Sequence, residues 1–412
     1  MTAGDLMTMT ESKDEMQESQ DVPYSLETDV ILDVRGLKTS FYTYEGVVKA
    51  LDGITVKLKK GQTLAFVGET GCGKSVTAKS IMRLVDSPGV IEAGEIVFRD
   101  RTRHKDEVIT DLLKLSEDEM RHIRGNRIAI VFQDPATYPN PVFKVGDQIA
   151  EVISLHQNLG REALLMKIAL LEDTLAQNPQ APNAGEIEEK ISEYKSQLDD
   201  PPPPTDDDKK KVAKQKAVEM LKMVRMPSPA EIANQYPHEL SGGMRQRALI
   251  AMSLSCNPQI LICDEATTAL DVTVQAQVLN LLNELKSEFD SSIIIITHDL
   301  GVVAETCTHV AVMYAGVIVE YASTDELFSD PIHPYTSGLL RSIPKLTEKV
   351  DRLLQIKGTV PNLITPPTGC RFHPRCEFAT SICSEKRPPR EEMKPDHWVE
   401  CYHPQGSMKG KR

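Results

Sequence analysis

The chain has 412 residues, 40% of them hydrophobic, and a formal net charge of −13. That length predicts one large domain or two or three smaller ones around a sizeable core, and the acidic balance excludes an electrostatic nucleic-acid footprint. No apolar run approaches the ~20 residues of a membrane span, and the acidic N-terminus lacks the apolar stretch of a signal peptide. The expectation is a cytosolic chain, or one peripheral to a membrane from its cytosolic side.

Residues 1–28 are polar and acidic and read as a disordered tail; residues 1–29 hold eight acids against Lys13, a net of −7. Val30 to Val34 and Val47 to Leu58 are predicted strands, broken by Gly46 and Gly53. Phe41, Tyr42 and Tyr44 lie between them, either to stack on a purine or as ordinary strand aromatics. The apolar run Leu64 to Val67 is a buried strand, and a helix is predicted from Lys74 to about Val85. Strands follow at Glu95 to Phe98 and at Arg127 to Phe132, the second ending in Gln133 and a Pro-rich loop.

Residues 161–211 carry two helical apolar stripes: Leu164, Ile168, Leu171 and Leu175, then Ile187, Ile191, Tyr194 and Leu198. With the turn NPQAPNAG between them they predict a helical hairpin, either a solvated spacer or a docking arm. DDPPPPTDDDKKK reads as a stiff charged linker, and a helix resumes from Val212 to Met223. Ser241 is a good N-cap, followed by Gly242, Gly243 and a long helical run. Ile260 to Cys263 is an apolar strand ending in Asp264 and Glu265; Ile293 to Ile296 is another, ending in Thr297 and His298. Strands that end in polar groups predict an open parallel α/β sheet with a ligand at their carboxyl ends.

The chemistry starts at Gly68, Gly73, Lys74 and Ser75, which match G-x-x-x-x-G-K-[ST]. The glycines let backbone N–H groups turn toward a polyphosphate, Lys74 can reach its β- and γ-phosphates, and Ser75 can ligate Mg²⁺. The helix start adds its dipole, and the N-terminus at Ser241 is a second anion site. Asp264 can share the Mg²⁺, Glu265 can act as general base toward water, and His298 can contact the γ-phosphate or orient that water. Gln133 can sense both the metal and the water. Cys72, inside the loop, is either a redox-sensitive thiol or simply a small loop residue.

GETGCGKS, Gln133, LSGGMRQR (240–247), ILICDEAT (260–267), ALD (269–271) and ITHD (296–299) together resemble the motif set of an ABC-transporter ATPase, over about residues 30–345. The resemblance implies an α/β P-loop ATPase with a RecA-like core, an antiparallel β subdomain and a helical subdomain at about 134–258. It implies a head-to-tail dimer with two ATP molecules, each between one chain's phosphate loop (Gly68, Gly71, Cys72, Gly73, Lys74, Ser75, Val76) and the other chain's Ser241, Gly242 and Gly243. Phe41, with Tyr44 as alternative, would stack on adenine, and Asp271 would communicate across the dimer. Thr268 stands where many members carry serine. VFQDPATYPNPVFKVGDQIAE (131–151), HPYTSGLL (333–340) and GCRFHPRC (369–376) are similar to oligopeptide/dipeptide importer ATPases, including nickel-transporting relatives.

That resemblance implies a cassette over residues 29–330 and a smaller Cys-rich C-terminal domain over 331–412. Its partners would be a second, different ATPase subunit, two transmembrane permease subunits and an extracytoplasmic solute-binding protein, at the cytoplasmic face of the cell membrane, with no nucleic acid. The rivals are an exporter ATPase and a non-transport ABC machine acting on nucleic acid.

Cys370, Cys376, Cys383 and Cys401 are separated by five, six and seventeen residues. That irregular spacing is compatible with an iron–sulfur cluster, and members of the importer family that carry this tail resemble four-cysteine [4Fe–4S] binders. A zinc site drawing on His373, His397 or His403, and free thiols, are the other readings. A metal would stabilise a Pro-rich segment with too few apolar residues for its own core. The segment's distance in sequence from the phosphate loop implies no part in hydrolysis.

Overall fold

The computed structural model describes residues 24–101, 107–133, 137–178, 182–266, 271–342 and 356–408. Most of the expected acidic tail, part of the loop after Gln133, and Thr268 lie outside these residues.

β1 (Val30–Thr43) and β2 (Gly46–Lys59) pair antiparallel, then β3 (Thr63–Val67) runs into the phosphate loop and α1 (Lys74–Ile81). β4 (Gly89–Asp100) returns to β1, and β5 (Val108–Asp111) pairs with β4, giving a four-stranded sheet in the order β2-β1-β4-β5. β1, β2 and β4 exceed the predicted strands, because bulges let the pairing continue past the irregular points instead of stopping there.

α2 (Glu117–Ile123) and β6 (Ile128–Val131) follow, then the helices α3 (Val145–His156), α4 (Gly160–Gln177), α5 (Ala184–Ser196), α6 (Asp206–Met223), α7 (Pro229–Ile232) and α8 (Gly242–Leu254). β7 (Ile260–Asp264), α9 (Val272–Phe289), β8 (Ser292–Ile296), α10 (Leu300–Thr306), β9 (His309–Tyr314) and β10 (Val317–Ser323) build the second sheet. After α11 (Thr324–Ser329), α12 (Pro334–Arg341) and α13 (Ser381–Glu385), the strands β11 (Arg390–Lys394) and β12 (His397–Glu400) close its edge.

This second sheet has eight strands in the order β11-β12-β10-β9-β3-β8-β7-β6. From β9 through β3, β8 and β7 to β6 every pairing is parallel, as the strand-end chemistry requires. Side chains alternate between two cores, because successive residues of a strand point to opposite faces. Leu64, Phe66, Ile260, Ile262, Ile294 and Ile296 face the antiparallel sheet and α1. Ala65, Val67, Leu261, Cys263, Ile293 and Ile295 face the helices.

The hairpin forms as predicted, and its far end has a small core of its own: Ile168, Ile187 and Ile191, with Leu171, Leu175, Tyr194 and Leu198 packed against them. Its base belongs to the main core through Leu159 and Ala163. Lys216 of α6 ties it down by reaching Glu162 Oε1 at 2.8 Å and Gln157 Oε1 at 2.7 Å. Of the stretch expected as linker, residues 199–204 are non-helical, but DDDKKK is instead the first turns of α6. Thr205 Oγ1 accepts the Asp208 N–H at 3.2 Å, and Asp206, Asp207 and Asp208 sit where the helix dipole favours anions.

The C-terminal segment has only a small core of its own, Ile332, Val399 and Cys401 with Met393 packed against them. β12 pairs antiparallel with β10, placing Val399 against Glu320 and Trp398 against Tyr321 in register. Trp398 stacks on Tyr321 with ring centroids 5.8 Å apart, and the Arg390 guanidinium lies 3.5 Å from the Trp398 centroid. Burying Trp398 and Val399 there supplies about 2 kcal/mol per side chain. Among the described residues no helix is long and apolar enough to cross a membrane.

Candidate active site

β3, β7 and β8 are neighbours, so their carboxyl ends deliver three motifs to one place. The phosphate loop leaves β3 at Gly68, whose φ is +150°; a Cβ there would sit 2.1 Å from the Met313 carbonyl oxygen, so only glycine fits. Gly73, at φ +104°, is pressed against the Ala50 carbonyl in the same way. Lys74 is buried, and its Nζ donates to the Gly68 carbonyl at 2.8 Å and the Glu69 carbonyl at 3.2 Å, closing the loop into a ring. Gly71 is exposed on that ring, and Val76 is half-buried behind it against the core that faces the antiparallel sheet.

Cys72 is fully buried, with Sγ 3.8 Å from Lys74 Nζ. Burial pushes its thiol up despite the nearby ammonium. It is therefore a packing residue and not a reactive thiolate.

Ser75 Oγ donates to Asp264 Oδ1 at 2.9 Å. Burial pushes the Asp264 carboxyl up, with Ser75 and Lys74 pulling against burial and Glu265 adding to it. A buried carboxylate beside a hydroxyl and a second carboxylate is a hard-oxygen set that fits Mg²⁺, which would supply the compensating charge.

Glu265 follows at φ +48°, a left-handed conformation that costs a non-glycine residue about 1–2 kcal/mol. Its N–H donates to the Ile296 carbonyl at 2.9 Å, so the chain breaks from the strand while staying attached to β8. The kink aims the carboxylate across the strand ends. Gln133 Nε2 donates to Glu265 Oε2 at 2.7 Å, and His298 Nδ1 lies 3.5 Å from Oε1. Lys74, Ser75, Asp264, Glu265, Gln133 and His298 thus form one cluster. Phe132, just before Gln133, stacks on Tyr138 with ring centroids 4.2 Å apart.

Ser241, Gly242, Gly243 and Asp271 form a second group. Ser241 Oγ accepts the Met244 N–H at 3.4 Å and caps α8. A Cβ on Gly243 would lie 2.8 Å from Val274, on the first turn of α9, whose cap is Asp271. Gly243 at the start of α8 thus approaches the Val274 side chain of α9 closely, and Ser241 is exposed. Phe41 is half-buried, its ring edge against Gly89, while Tyr44 projects from the β1–β2 turn with 98% of its surface exposed.

The four C-terminal cysteines do not make the expected metal centre. None of the eight cysteines is in a disulfide, and among the described residues no group of three or more His, Cys, Asp or Glu is placed to hold a metal ion. Cys370 and Cys383 are neighbours, the Cys370 N–H donating to the Cys383 carbonyl at 2.7 Å, but Cys401 Sγ accepts from the His403 backbone N–H. Burial, with Cys376 and Cys383 nearby, pushes the Cys370 thiol up to about 11. The segment is held by β12 on β10 and by guanidinium pairs, including Arg371 Nη2 with Asp52 Oδ2 at 2.6 Å.

Nor is the segment remote from the site: Arg375 pairs with Glu69 of the phosphate loop. Sequence reasoning missed Glu69, Tyr335 and Arg375, although GCRFHPRC and HPYTSGLL had marked the stretches that hold the last two.

A phosphate loop, a hydroxyl–carboxylate pair and a kinked glutamate at adjacent strand ends, with a capped Ser-Gly-Gly helix apart from them, define an ATP-binding cassette. The ABC transporter family model matches residues 51–268, and that of the oligopeptide/dipeptide transporter C-terminal region matches residues 319–383. A probable peptide ABC transporter ATP-binding protein of Sinorhizobium fredii is 44% identical over 91% of this chain and 95% of its own length. The oligopeptide transport ATP-binding protein OppD of Bacillus subtilis is 43% identical over 91% of this chain and 89% of its own. A dimeric ATP-binding cassette in a post-hydrolysis state bound to ADP and Pi shares the fold, with a TM-score of 0.52 and 20% identity over 71% of this chain and 99% of that one. The chain belongs to the ATP-hydrolysing, ATP-binding subunits of the oligopeptide/dipeptide ABC transporter family.

Proposed function

We propose that the chain powers import of peptides or related solutes by hydrolysing ATP at the strand-end cluster. Lys74 and the loop N–H groups bind the β- and γ-phosphates, and Ser75 and Asp264 would hold Mg²⁺, which when bound would supply compensating positive charge. Glu265 accepts a proton from the attacking water, whose oxygen bonds to the γ-phosphorus as the bond to the β-phosphate oxygen breaks and ADP leaves. Gln133 and His298, both within reach of the Glu265 carboxylate, orient that carboxylate and the water. Phe41, or Tyr44, stacks on adenine.

The observation that carries this reading is the kinked Glu265 held by Gln133 beside the Ser75–Asp264 pair. Ser241, Gly242 and Gly243 then serve the ATP of a second ATPase subunit, with Asp271 at the dimer contact.

The further partners are two permease subunits and an extracytoplasmic solute-binding protein, with the chain peripheral at the cytoplasmic face of the membrane. Exposed Tyr138, Val142 and Phe143, just past Gln133, support a covered surface there. The test is purification from native membranes. Co-purifying permeases and ATPase activity stimulated by peptide-loaded binding protein support the reading; co-purifying nucleic acid contradicts it. The four-cysteine [4Fe–4S] reading rests on the spacing and on the resemblance of this tail to that of importer-family members. Iron with acid-labile sulfide in the anaerobic complex would restore it, stoichiometric zinc would replace it, and neither would leave free thiols.

A further inference from the structure

Arg375 and Glu69 are 306 positions apart and meet as a two-pronged pair. Nη1 donates to Glu69 Oε2 at 2.7 Å and Nη2 to Oε1 at 3.0 Å. The Arg375 side chain is only 5% exposed. Its other N–H positions are occupied too: Nε donates to the Lys357 carbonyl at 2.8 Å, Nη2 to the Ile356 and Gly358 carbonyls, and Nη1 to Tyr314 Oη. The guanidinium is thus fixed before it meets the carboxylate.

Glu69 is held by its backbone as well, its N–H donating to Tyr335 Oη at 3.0 Å. Phe372 packs among Tyr314, Tyr335 and His333 and locks both holders together. The Glu69 carbonyl in turn accepts from Lys74 Nζ. A continuous set of contacts therefore runs from the C-terminal segment to the lysine of the phosphate loop.

We infer that Arg375 is a positioning residue for ATP hydrolysis: it neutralises Glu69 and pins it, keeping the phosphate loop shaped for a nucleoside triphosphate. This rests on the reading of residues 68–75 as the nucleotide site. Two effects act in the same direction. A carboxylate in the cradle repels a polyanion unless it is paired, and removing one partner of a mostly buried pair leaves the other charge uncompensated. Losing the pair also frees the Glu69 end of the ring that Lys74 closes.

The test measures KM for ATP and kcat in the assembled transporter. Arg375→Ala should raise KM about tenfold with kcat changed less than about threefold. Adding Glu69→Gln to that variant should recover most of the loss, because no unpaired charge remains. Arg375→Lys, which keeps the charge and the fold, should raise KM about twofold to threefold. An unchanged KM in Arg375→Ala, or a raised KM that Glu69→Gln does not relieve, would overturn the inference. If Arg375→Ala fails to fold, an unchanged KM in Arg375→Lys overturns it alone. Absence of ATP hydrolysis in the wild-type complex would instead overturn the reading of the site.

Discussion

The strand-end cluster and the C-terminal segment are held in opposite ways. At the strand ends the backbone does the placing: three neighbouring strands stop together, and each motif follows its strand within a few residues. The segment from 356 to 408 has short helical turns and one hairpin, and it is held by side chains reaching far along the chain. Arg371 reaches Asp52, Arg375 reaches Glu69, Arg387 reaches the Asp52 carbonyl and Lys394 reaches Asp330. Exposed pairs of this kind contribute little, but Arg371 and Arg375 are almost wholly buried, and breaking a buried pair costs about 3–5 kcal/mol. A region with only a small core of its own can thus be fixed by a few desolvated guanidinium groups and a borrowed sheet edge.

Changes on the two sides should therefore fail differently. Lys74→Ala, on the strand-end side, should weaken ATP binding by on the order of 100-fold while the fold survives, because two charge-assisted phosphate contacts are lost. Near-normal nucleotide binding in that variant would end the parallel with a phosphate loop.

Trp398→Ala, on the other side, should lower stability by about 3 kcal/mol and loosen residues 356–408 to protease. A thermal melt unchanged from the wild type would show that the sheet edge is not what holds the segment.

His333 sharpens the comparison through pH. It is fully buried, its Nδ1 accepts the Tyr335 N–H, and burial lowers its pKa from 6.5 to about 3. The folded chain refuses the proton that the unfolded chain accepts. This contribution is complete above about pH 6.5 and is lost as pH falls toward 3. His333→Asn, which keeps a capping acceptor, should flatten the fall in melting temperature over that range; an unaltered slope would rule out His333 as its source.

The smallest effect is expected at the hairpin. Replacing residues 172–198 by a short Gly/Ser linker spares Leu159, Ala163 and α6, and ATPase activity of the assembled complex should stay within about twofold. A larger loss with the fold intact would make the hairpin a docking arm.

The same contrast explains what was legible in the sequence. Lys74, Ser75, Gln133, Asp264, Glu265 and His298 each follow an apolar run, so local pattern alone placed them at strand ends, and the structure joins them. The unbroken apolar runs Leu64 to Val67 and Ile293 to Ile296 likewise announced buried strands. The α6 start was misread because DDDKKK has the composition of a linker; only Thr205 as a cap, with acids in the first turn and lysines after it, signalled a helix. The pairing of Arg375 with Glu69 has no local signature: charge complementarity across 306 positions is invisible until the chain folds. The spacing of the four cysteines suggested a common centre, but among the described residues they are not grouped as a metal site, and the segment's neighbours support it.

Glu265 offers the most direct test of the central claim. Nucleotide content and turnover should be measured together on the purified complex carrying Glu265→Gln. The amide keeps the size of the side chain but takes no proton from water, so the account expects bound ATP to be retained and turnover to fall about 10²–10⁴-fold. Near-normal hydrolysis by that complex would contradict it.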